Sequence, residues 1–430
     1  MSKVSSPQRL SGPGPEIGYL QLLRLRYAAH MLGSTLIGRL PNAMAPVALL
    51  LAAREEHGSL AFGGTLSAVY LVAFAIGQPA LGRAADRLGP SVPIVFGAAT
   101  AATSLFALSV LGTRSEVLAV VLAAVAGLSN PPLESGLRTL WPTILPAQPT
   151  VRSRFLSVAY ALDNGSQEAV YVAGPLLAAG LAVLSPGAAL AATAAIGLGG
   201  GLSLGLSRPA RLLRPLAAEQ RDWLGPLRSS AVLVLLGMLM CAGGVVGAVR
   251  VSAVAQGQDL GVSWFAGALP AVMSCGGLVG GLVYGARSWR GGLYSHLALL
   301  AGAHVLAWAP LLIGLGPAAT LTAITVPGLC FSTLVCVACL LINAVAPAGT
   351  TTEAFGWLIA AINLGIAGGT AAAGWAGGHY GVALVAAGGA ALVLLLGGSR
   401  VRAGSSPAGA GSTAVGEGAD ARNGAVVAPV

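Results

Sequence analysis

Five charged side chains lie inside apolar stretches of this sequence, where ionised groups are rare and usually paired or functional. They are Arg39, Glu134, Arg138, Asp163 and Glu168. Carboxylates among arginines can form a structural ion-pair network, or one carboxylate can bind a proton or a cation in a polar cavity. Both interpretations require helices that bring these side chains to similar depths.

Depth along a helix, at about 1.5 Å per residue, indicates which of these charges can meet. Counted from one end of each apolar stretch, Arg39, Glu134 and Glu168 lie about 11 to 12 residues in, and Arg138 and Asp163 about 7. We therefore expect contacts at two levels. Asp163 is expected to pair with Arg138 as structure, and the deeper Glu168 is the better candidate for a proton site.

The composition indicates that these charges lie in a membrane protein. Of 430 residues, 55% are apolar and only 9% are charged, whereas a soluble domain carries about 25% charged residues. The net charge of +9 is spread over short segments between apolar stretches, which argues against nucleic-acid binding. The five cysteines all lie in apolar stretches, which excludes a secreted disulfide scaffold. What remains is an all-α protein that crosses the bilayer many times.

Twelve apolar stretches are long enough to cross a bilayer, which takes roughly 20 residues. They are Ala28–Ala53, Phe62–Leu81, Val92–Gly112, Val117–Leu145, Leu156–Leu184, Gly187–Leu206, Ala231–Ala255, Trp264–Ala286, Gly292–Leu315, Ala318–Ala346, Ala354–Gly377 and Val382–Gly398. The polar segment 207–230 divides them into two six-helix bundles, 28–206 and 231–398. We expect a cytoplasmic segment at 1–27 and a disordered cytoplasmic tail at 399–430, which is too polar to bury a core.

The basic residues are distributed unevenly between the two sides of the membrane. With the N-terminus inside, 18 of them fall in the inner segments, and only Arg54, Arg114 and Arg250 fall in the outer loops. Basic residues mark the cytoplasmic side of a membrane protein. The distribution therefore predicts an even number of helices in a bacterial cytoplasmic (inner) membrane, with both termini cytoplasmic.

The two halves of the chain resemble each other. The matching pairs are Phe155 and Phe355, Asp163 and Asn363, Gly165 and Gly365, and Gly174 and Gly374. This pattern indicates duplication of a six-helix unit, with a binding site between the halves near the midplane. The second half has no comparable intramembrane carboxylate, so Asn343 and Asn363 are its candidate cavity residues.

A short motif follows the second apolar stretch. Gly82, Arg83, Asp86, Arg87 and Gly89 fit the pattern G-x-x-x-D-R-x-G. At this place in a twelve-helix chain, the pattern resembles the loop signature of the major facilitator superfamily. The resemblance implies two bundles that rock around a central cavity, with Asp86 holding the halves together on the cytoplasmic side. The copy in the second half has Gly285 at the Asp position, so we expect its role to be weaker.

A second resemblance concerns the proton-coupled drug exporters of the same superfamily, which carry a Gly-rich fifth helix ending in Gly-Pro. Gly165, Gly174 and Pro175 match part of that pattern. The resemblance implies efflux, and ordinary close packing of small residues around a bend is the alternative. In the first stretch, Pro41 and Asn42 suggest either a break of the helix near the midplane or a simple kink.

Other motifs indicate neither a cofactor nor a metal. Cys336 and Cys339 have no second ligand pair nearby, and His296 and His304 lie eight residues apart on one helix. No G-x-x-x-x-G-K loop is present and the histidines are scattered, so we expect neither an ATP-driven pump nor a membrane-embedded enzyme. A receptor would normally carry a folded polar domain, which this sequence does not offer.

These features together predict a secondary active transporter that works by alternating access. We expect a monomeric antiporter that couples proton entry to the efflux of an amphipathic or drug-like compound. The alternative is a proton-coupled or facilitated uptake permease for a small metabolite. The expected partners are a small-molecule substrate, protons and the lipid bilayer.

Overall fold

The structure is a computed structural model that describes residues 18–57, 60–213, 225–262, 264–287, 289, 291–376 and 380–404. Within these ranges the protein consists of α-helices and two short 3₁₀ turns, without strands. Apolar stretches of this length fold as helices because a helix pairs its backbone groups internally, as a lipid environment requires. The all-α membrane fold predicted from the sequence is confirmed.

The helices are numbered in chain order. Those of the first half are α1 (Tyr19–Leu23), α2 (Ala28–His57), α3 (Leu60–Leu88), α4 (Ser91–Leu111), α5 (Glu116–Leu128), α6 (Leu133–Ile144), α7 (Pro149–Ala182), α8 (Pro186–Gly205) and α9 (Arg208–Leu212). Those of the second half are α10 (Ser230–Asp259), α11 (Phe265–Ala286), α12 (Leu293–Ala307), α13 (Pro317–Ala323), α14 (Thr325–Val345), α15 (Thr351–Trp375) and α16 (Gly381–Gly404). The 3₁₀ turns are Gly225–Arg228 and Ala309–Ile313.

Eleven helical segments of the described ranges are long and apolar enough to cross a membrane. In three of them two elements make one crossing, namely α5 with α6, α12 with the following 3₁₀ turn, and α13 with α14. The twelfth predicted crossing is α7, which has 34 residues and reaches about 50 Å at 1.5 Å per residue. It is not one of these eleven apolar segments, because the polar residues Asp163, Gln167 and Glu168 lie in its middle.

The helices form two bundles. Helices α2 to α8 pack mainly against one another, and so do α10 to α16. The halves meet where α3 and α6 contact α15, and where α7 contacts α11 and α14. We call the side of the molecule that holds the connection between α3 and α4 the motif side, and the opposite side the far side. Since successive crossings alternate, α7, α10 and α15 begin on the motif side.

The interrupted crossing is the fourth rather than the first. Helix α2 continues through Pro41, which contradicts the first of the two alternatives, a break, and leaves the simple kink. Helix α5 instead ends at Leu128, and α6 begins only at Leu133. The exposed backbone of this break is paired, because Gln78 Nε2 on α3 donates a 3.2 Å hydrogen bond to the carbonyl oxygen of Asn130. Such pairing lets irregular backbone exist inside a membrane protein.

Three segment boundaries differ from those expected. The motif is mostly helical, because α3 continues to Leu88 and only Gly89, with φ of 85°, and Pro90 join it to α4. Helix α1 lies within the segment 1–27, and α16 continues to Gly404. The expectations for the centre of the segment 207–230 and for the rest of the tail fall on residues 214–224 and 405–430, which lie outside the described ranges.

Candidate functional site between the two halves

Asp163 on α7 binds two arginines that come from two other helices. Arg39 Nη2 on α2 lies 2.7 Å from Asp163 Oδ1. Arg138 Nε on α6 donates a 2.9 Å hydrogen bond to Asp163 Oδ2. The side chains of all three residues are at most 1% exposed. Arg138 Nη2 also lies 2.6 Å from Glu134 Oε1, so that two arginines balance two carboxylates.

Two amide side chains of α7 complete this network. Gln167 Oε1 accepts a 3.0 Å hydrogen bond from Arg39 Nη1. Asn164 Oδ1 accepts a 2.9 Å hydrogen bond from Arg138 Nη2. Buried charges persist when they are both paired and hydrogen-bonded, and removing one partner is strongly destabilising. The network therefore ties α2, α6 and α7 into one unit.

The pairing differs in part from the two levels expected from depth. Asp163 does pair with Arg138, as expected, but it also binds Arg39, which the sequence placed at the deeper level with Glu134 and Glu168. The reason is that an arginine side chain is long enough to reach a carboxylate about one helical turn away from its own Cα. Because Arg39 pairs with Asp163, it is not the partner of Glu168 at the deeper level.

A cavity lies between the halves, directly beside the network. Its lining residues come from α6, α7, α14 and α15: Glu134, Asn164, Gln167, Glu168, Tyr171, Phe331, Ser332, Val335, Ile359, Ile362 and Asn363. The first half supplies the carboxylates and most of the amides, and the second half supplies mainly apolar side chains. This mixture of apolar and polar groups is typical of a site for a small organic molecule.

Glu168 is the lining carboxylate that stands apart from the buried arginines. The side chain of Ser274 on α11 lies near its carboxylate. Gly277 on α11 leaves room for it, since Glu168 Oε1 lies 3.2 Å from the place that a Cβ of residue 277 would occupy. Among the described residues no arginine lies within ion-pair distance of Glu168. Glu168 thus lines the cavity without an ion pair among the described residues.

Of the two asparagines expected from the second half, one lines the cavity. Asn363 on α15 does so, and its Nδ2 donates a 2.8 Å hydrogen bond to the carbonyl oxygen of Ile359. Asn343 lies two residues before the end of α14 on the motif side and is not a lining residue. Asn343 also lies only three residues before the end of the predicted stretch Ala318–Ala346, and this position already indicated a place away from the midplane.

The glycines and prolines singled out in the sequence serve close packing. Gly165 faces Leu278 of α11 across the half interface, and Gly174 lies against Ala43 of α2. Helix α7 continues through Pro175 without a break. Pro41 packs against Gly197 of α8, where its Cγ lies 2.9 Å from the place of a residue-197 Cβ.

The motif joins the two halves through the start of α15. Asp86 Oδ1 accepts a 3.1 Å hydrogen bond from the backbone N–H of Thr352, and Asp86 Oδ2 accepts one of 2.7 Å from the N–H of Glu353. These N–H groups belong to the first turn of α15, where a helix has unpaired donors and a partial positive charge. Gly82 permits this approach, because a Cβ there would lie 2.8 Å from the carbonyl oxygen of Thr352.

Glu353 is a residue of this contact that sequence reasoning missed. Arg83 donates two hydrogen bonds to its carboxylate, from Nε to Oε2 at 2.9 Å and from Nη2 to Oε1 at 2.6 Å. Trp357 Nε1 also donates a 3.2 Å hydrogen bond to Glu353 Oε1. We call Arg83, Asp86, Thr352 and Glu353 the latch. Arg87 lies in the last turn of α3 beside it.

A second contact between the halves lies at α7 and α11. Gly285 of α11 lies so close to Ala161 of α7 that a Cβ at residue 285 would clash with the Ala161 Cβ. The Tyr19 hydroxyl of α1 donates a hydrogen bond to the carbonyl oxygen of Leu282 on α11. We call Tyr19, Ala161, Leu282 and Gly285 the glycine contact. Like the latch, it lies on the motif side, so both known contacts close the same side of the cavity.

Arg250 is the second residue of interest that the sequence misplaced. Counted above among the outer-loop residues, it lies inside α10, nine residues before the helix ends. Its side chain is exposed. A lone arginine in an apolar stretch of about 30 residues was itself a signal.

Two helical bundles with a polar cavity between them and a motif-side latch define a membrane transport protein of the secondary-transporter type. The model of the Major Facilitator Superfamily matches residues 31–370. The chain belongs to this superfamily, and it is a transporter rather than an enzyme.

One curated protein is similar to part of the chain. An uncharacterized MFS-type transporter of Sinorhizobium fredii is 28% identical over 193 residues, which cover 44% of this chain and 46% of that protein. The chain thus matches about half the length of this curated relative.

Solved structures share the fold. A bacterial homologue of the iron transporter ferroportin in an outward-facing state has a TM-score of 0.70 at 13% identity, covering 89% of this chain and 100% of that one. The transporter FucP in the outward conformation has a TM-score of 0.63 at 13% identity, covering 88% and 98%. At such identities the likeness concerns the fold alone.

Proposed function

We propose that this transporter couples proton movement to the export of an amphipathic organic compound, and that Glu168 is the proton site. The observation that carries the proposal is the placement of Glu168. It is a carboxylate in a cavity between the two moving halves, away from the buried arginines. A carboxylate in that position can be charged or neutral at little structural cost, which is what coupling requires.

The other two carboxylates of the region are held as structure. Asp163 bridges Arg39 and Arg138, and Glu134 pairs with Arg138. Protonating Asp163 would leave two buried guanidinium groups short of a counter-charge, which is strongly unfavourable. Asp163 and Glu134 therefore belong to the rigid first half, and Glu168 is the group that exchanges.

The cavity supports an amphipathic substrate. Phe331, Val335, Ile359 and Ile362 offer an apolar wall on the second half, and Glu168 with its neighbouring amides offers polar groups on the first. Such a division favours a molecule with one apolar and one polar end. Export as the direction rests on the partial exporter pattern in α7, and uptake of a small metabolite is the alternative that the transport assay separates.

The same proposal places the motif side in the cytoplasm of a bacterial cell, with the protein as a monomer in the cytoplasmic membrane. The sequence count of 18 inner basic residues against Arg54, Arg114 and Arg250 supports this orientation. Reporter fusions after Arg228 and after Arg402 should both read cytoplasmic, and a periplasmic signal at either contradicts the orientation.

The test of coupling uses purified protein in liposomes with an imposed pH gradient. A fluorescent amphipathic compound is first chosen by screening a strain that lacks the gene for altered sensitivity. We expect gradient-driven movement of this compound in the wild type and its loss in Glu168→Gln, with exchange in the absence of a gradient preserved. Asp163→Asn is the matched comparison. It should mainly lower the stability of the protein, because it removes a charge from the buried ion-pair network.

Each result has a separate meaning. Gradient-driven transport that survives in a well-folded Glu168→Gln protein excludes Glu168 as the proton site. A wild type that ignores the gradient removes proton coupling altogether. Movement of the compound along with protons, rather than against them, converts the assignment from export to uptake.

A further inference from the structure

The charges that line the cavity are not balanced within it. Its lining carboxylates are Glu134 and Glu168, and in the described part of the chain its lining includes no arginine, lysine or histidine. The ion-pair network beside the cavity holds two arginines and two carboxylates, Glu134 included, and so carries no net charge. Glu168 is therefore the one negative charge in excess when it is ionised, and an ionised group away from bulk water favours a partner of opposite sign.

Aromatic rings line the cavity together with this carboxylate. Tyr171 follows Glu168 by three residues on α7, so their side chains are neighbours on one face of the helix. Phe331 lines the same cavity from α14. The faces of aromatic rings attract cations, and this attraction is stronger where the cation has left bulk water. A carboxylate and aromatic rings in one cavity favour an organic ammonium ion over an anion.

Glu168 also reaches the second half of the molecule. The place that a Cβ of Gly277 on α11 would occupy lies 3.2 Å from Glu168 Oε1 and 3.3 Å from the Cβ of Ser332 on α14. The carboxylate therefore lies close to both of these helices. A cation bound to it is held between the two halves, where a transported molecule has to bind.

Asn164 offers a second polar contact to a ligand. It lines the cavity and is 6% exposed, and its Oδ1 is already bound to Arg138. Its Nδ2 is buried and has no hydrogen-bond partner among the described residues. The thiols of Cys336 and Cys339 on α14 lie near it, but a thiol is only a weak acceptor. Because a buried N–H without an acceptor is costly, a carbonyl, ether or hydroxyl oxygen of a ligand fits there.

The spacing of these two contacts defines the shape of the ligand. Asn164 and Glu168 are four residues apart on α7, so they share one face of the helix and their Cβ atoms lie about 5–6 Å apart. Val335, Ile359 and Ile362 line the cavity from the second half. A ligand that meets all three features has a positive nitrogen, an oxygen at about that distance from it, and a large apolar end.

We propose that the substrate of this transporter is an amphipathic organic monocation, with its ammonium group at Glu168, a hydrogen-bond acceptor at Asn164 Nδ2 and its apolar end against α14 and α15. This inference rests on the proposed function, whose substrate class it narrows. A single positive charge is expected because the cavity holds a single unbalanced carboxylate. The same carboxylate repels anions, and a neutral compound leaves it without a partner.

The test measures the binding of four matched probes to the purified protein in detergent micelles. Isothermal titration calorimetry is performed at about pH 8, where an ordinary carboxylate is ionised. The reference probe is a biphenyl ether whose oxygen is joined through a four-carbon chain to a trimethylammonium group, which stays charged at every pH. In the uncharged probe a carbon atom replaces the nitrogen, in the methylene probe a CH₂ group replaces the ether oxygen, and in the anionic probe a sulfonate replaces the ammonium group.

We expect the reference probe to bind the wild type about tenfold more tightly than the uncharged probe, and the anionic probe more weakly than either. Glu168→Gln should lose this preference for the positive charge while it still binds the uncharged probe. Glu116→Gln removes an exposed carboxylate of the first half outside the cavity. It is the matched control and should keep the preference of the wild type.

The contact to Asn164 is measured by the reference and methylene probes. The wild type should bind the reference probe about fivefold more tightly, which is the contribution of a neutral hydrogen bond. Asn164→Ala should remove this ratio. Asn363→Ala is the matched control, because Asn363 Nδ2 is already bound to the carbonyl oxygen of Ile359, and it should change both affinities together. A general loss of stability affects both probes alike and leaves their ratio unchanged.

The inference is overturned if the uncharged or the anionic probe binds as tightly as the reference probe, or if the folded wild type binds none of them. It is overturned equally if Glu168→Gln keeps the preference for the charge, and its Asn164 part if the reference and methylene probes bind alike. Failure of the proposed function is separate, because it shows in liposomes with a pH gradient. A protein that binds the cation selectively and ignores the gradient keeps this inference and loses proton coupling.

Discussion

The two motif-side contacts occupy equivalent places in the two halves and are built from different chemistry. In the repeat, the position of Asp86 on α3 corresponds to that of Gly285 on α11. Asp86 accepts two hydrogen bonds from the start of α15, whereas Gly285 lies directly against Ala161 of α7. One contact is therefore held by charge and hydrogen bonds, and the other by the absence of a side chain.

This difference shows how the motif side can both open readily and close tightly. Water can replace the partners of the latch as the halves separate, so its strength is modest and depends on charge. The glycine contact has no such exchange, because its fit is decided by the space between two backbones. We expect the latch to set how readily the motif side opens, and the glycine contact to decide whether it can close at all.

All variants below are compared with one reporter of the open side. A cysteine at Asn363, a cavity residue, is placed in the background without native cysteines. A membrane-impermeant maleimide added from the motif side or from the far side then labels it according to which side is open. The ratio of the two labelling rates measures the equilibrium without knowledge of the substrate.

The largest effect is expected from Gly285→Ala. The added methyl group would clash with the Ala161 Cβ and would lie 2.8 Å from the Tyr19 hydroxyl, so the halves cannot close fully. Overpacking costs about 1–3 kcal/mol, which shifts the equilibrium about 5- to 150-fold toward the motif-open state. Motif-side labelling should rise by this factor.

The control for Gly285→Ala is the double variant with Ala161→Gly, which gives back the space of one methyl group. It should restore most of the far-open labelling. If Gly285→Ala alone labels as the wild type does, the glycine contact does not control closure.

Asp86→Asn comes next. An amide keeps the shape but accepts weaker hydrogen bonds from Thr352 and Glu353, and it loses the attraction to the positive start of α15. The difference between charged and neutral hydrogen bonds, about 1–1.5 kcal/mol, predicts about a tenfold shift toward motif-side labelling. Expression and melting temperature should stay close to those of the wild type. Unchanged labelling would show that Asp86 does not help to hold the motif side closed.

Tyr19→Phe tests the polar element of the glycine contact. It removes the hydrogen bond to the carbonyl oxygen of Leu282 while the ring remains. A neutral hydrogen bond contributes about 1 kcal/mol, so labelling from the motif side should rise about fivefold. A shift as large as that of Gly285→Ala would mean that α1, rather than the fit of α7 to α11, holds this contact.

Arg83→Gln should have the smallest effect. Arg83 binds Glu353 with two hydrogen bonds, but its side chain is 38% exposed, so water screens the pair and replaces the partner. An exposed pair contributes about 0.2–1 kcal/mol, which predicts a shift of about 1.4- to 5-fold. Arg83→Lys should shift less, and the effect should fall in high salt; a salt-independent tenfold shift would contradict the ranking of the two contacts.

The sequence alone predicted the helices and the first of these contacts well. Length and apolarity predicted twelve crossings, and eleven segments of the described ranges are long and apolar enough to be crossings. Helix formation is a local signal, because it depends on residues close together in the chain. The joining role of Asp86 followed instead from the family resemblance, since its partners Thr352 and Glu353 lie 266 and 267 residues away in the chain.

What the sequence could not give is the rotation of each helix about its axis. Depth counting put Asp163 near Arg138, but it could not show that Asp163 binds Arg39 as well. The close fit of Gly285 to Ala161 depends on the same unknown angle, since only the tertiary fold decides which residues of two distant helices face each other. Arg250 was misplaced because the end of α10 was not evident from hydropathy.

The polar centre of α7 also bears on how the protein is made. A segment that carries Asp163, Gln167 and Glu168 partitions poorly into lipid by itself, and α7 is the crossing that falls outside the apolar set. Its two arginine partners lie on α2 and α6, which are synthesised earlier. We therefore expect α7 to be stable in the membrane only once α2 and α6 are in place, and loss of either arginine to lower the amount of inserted protein.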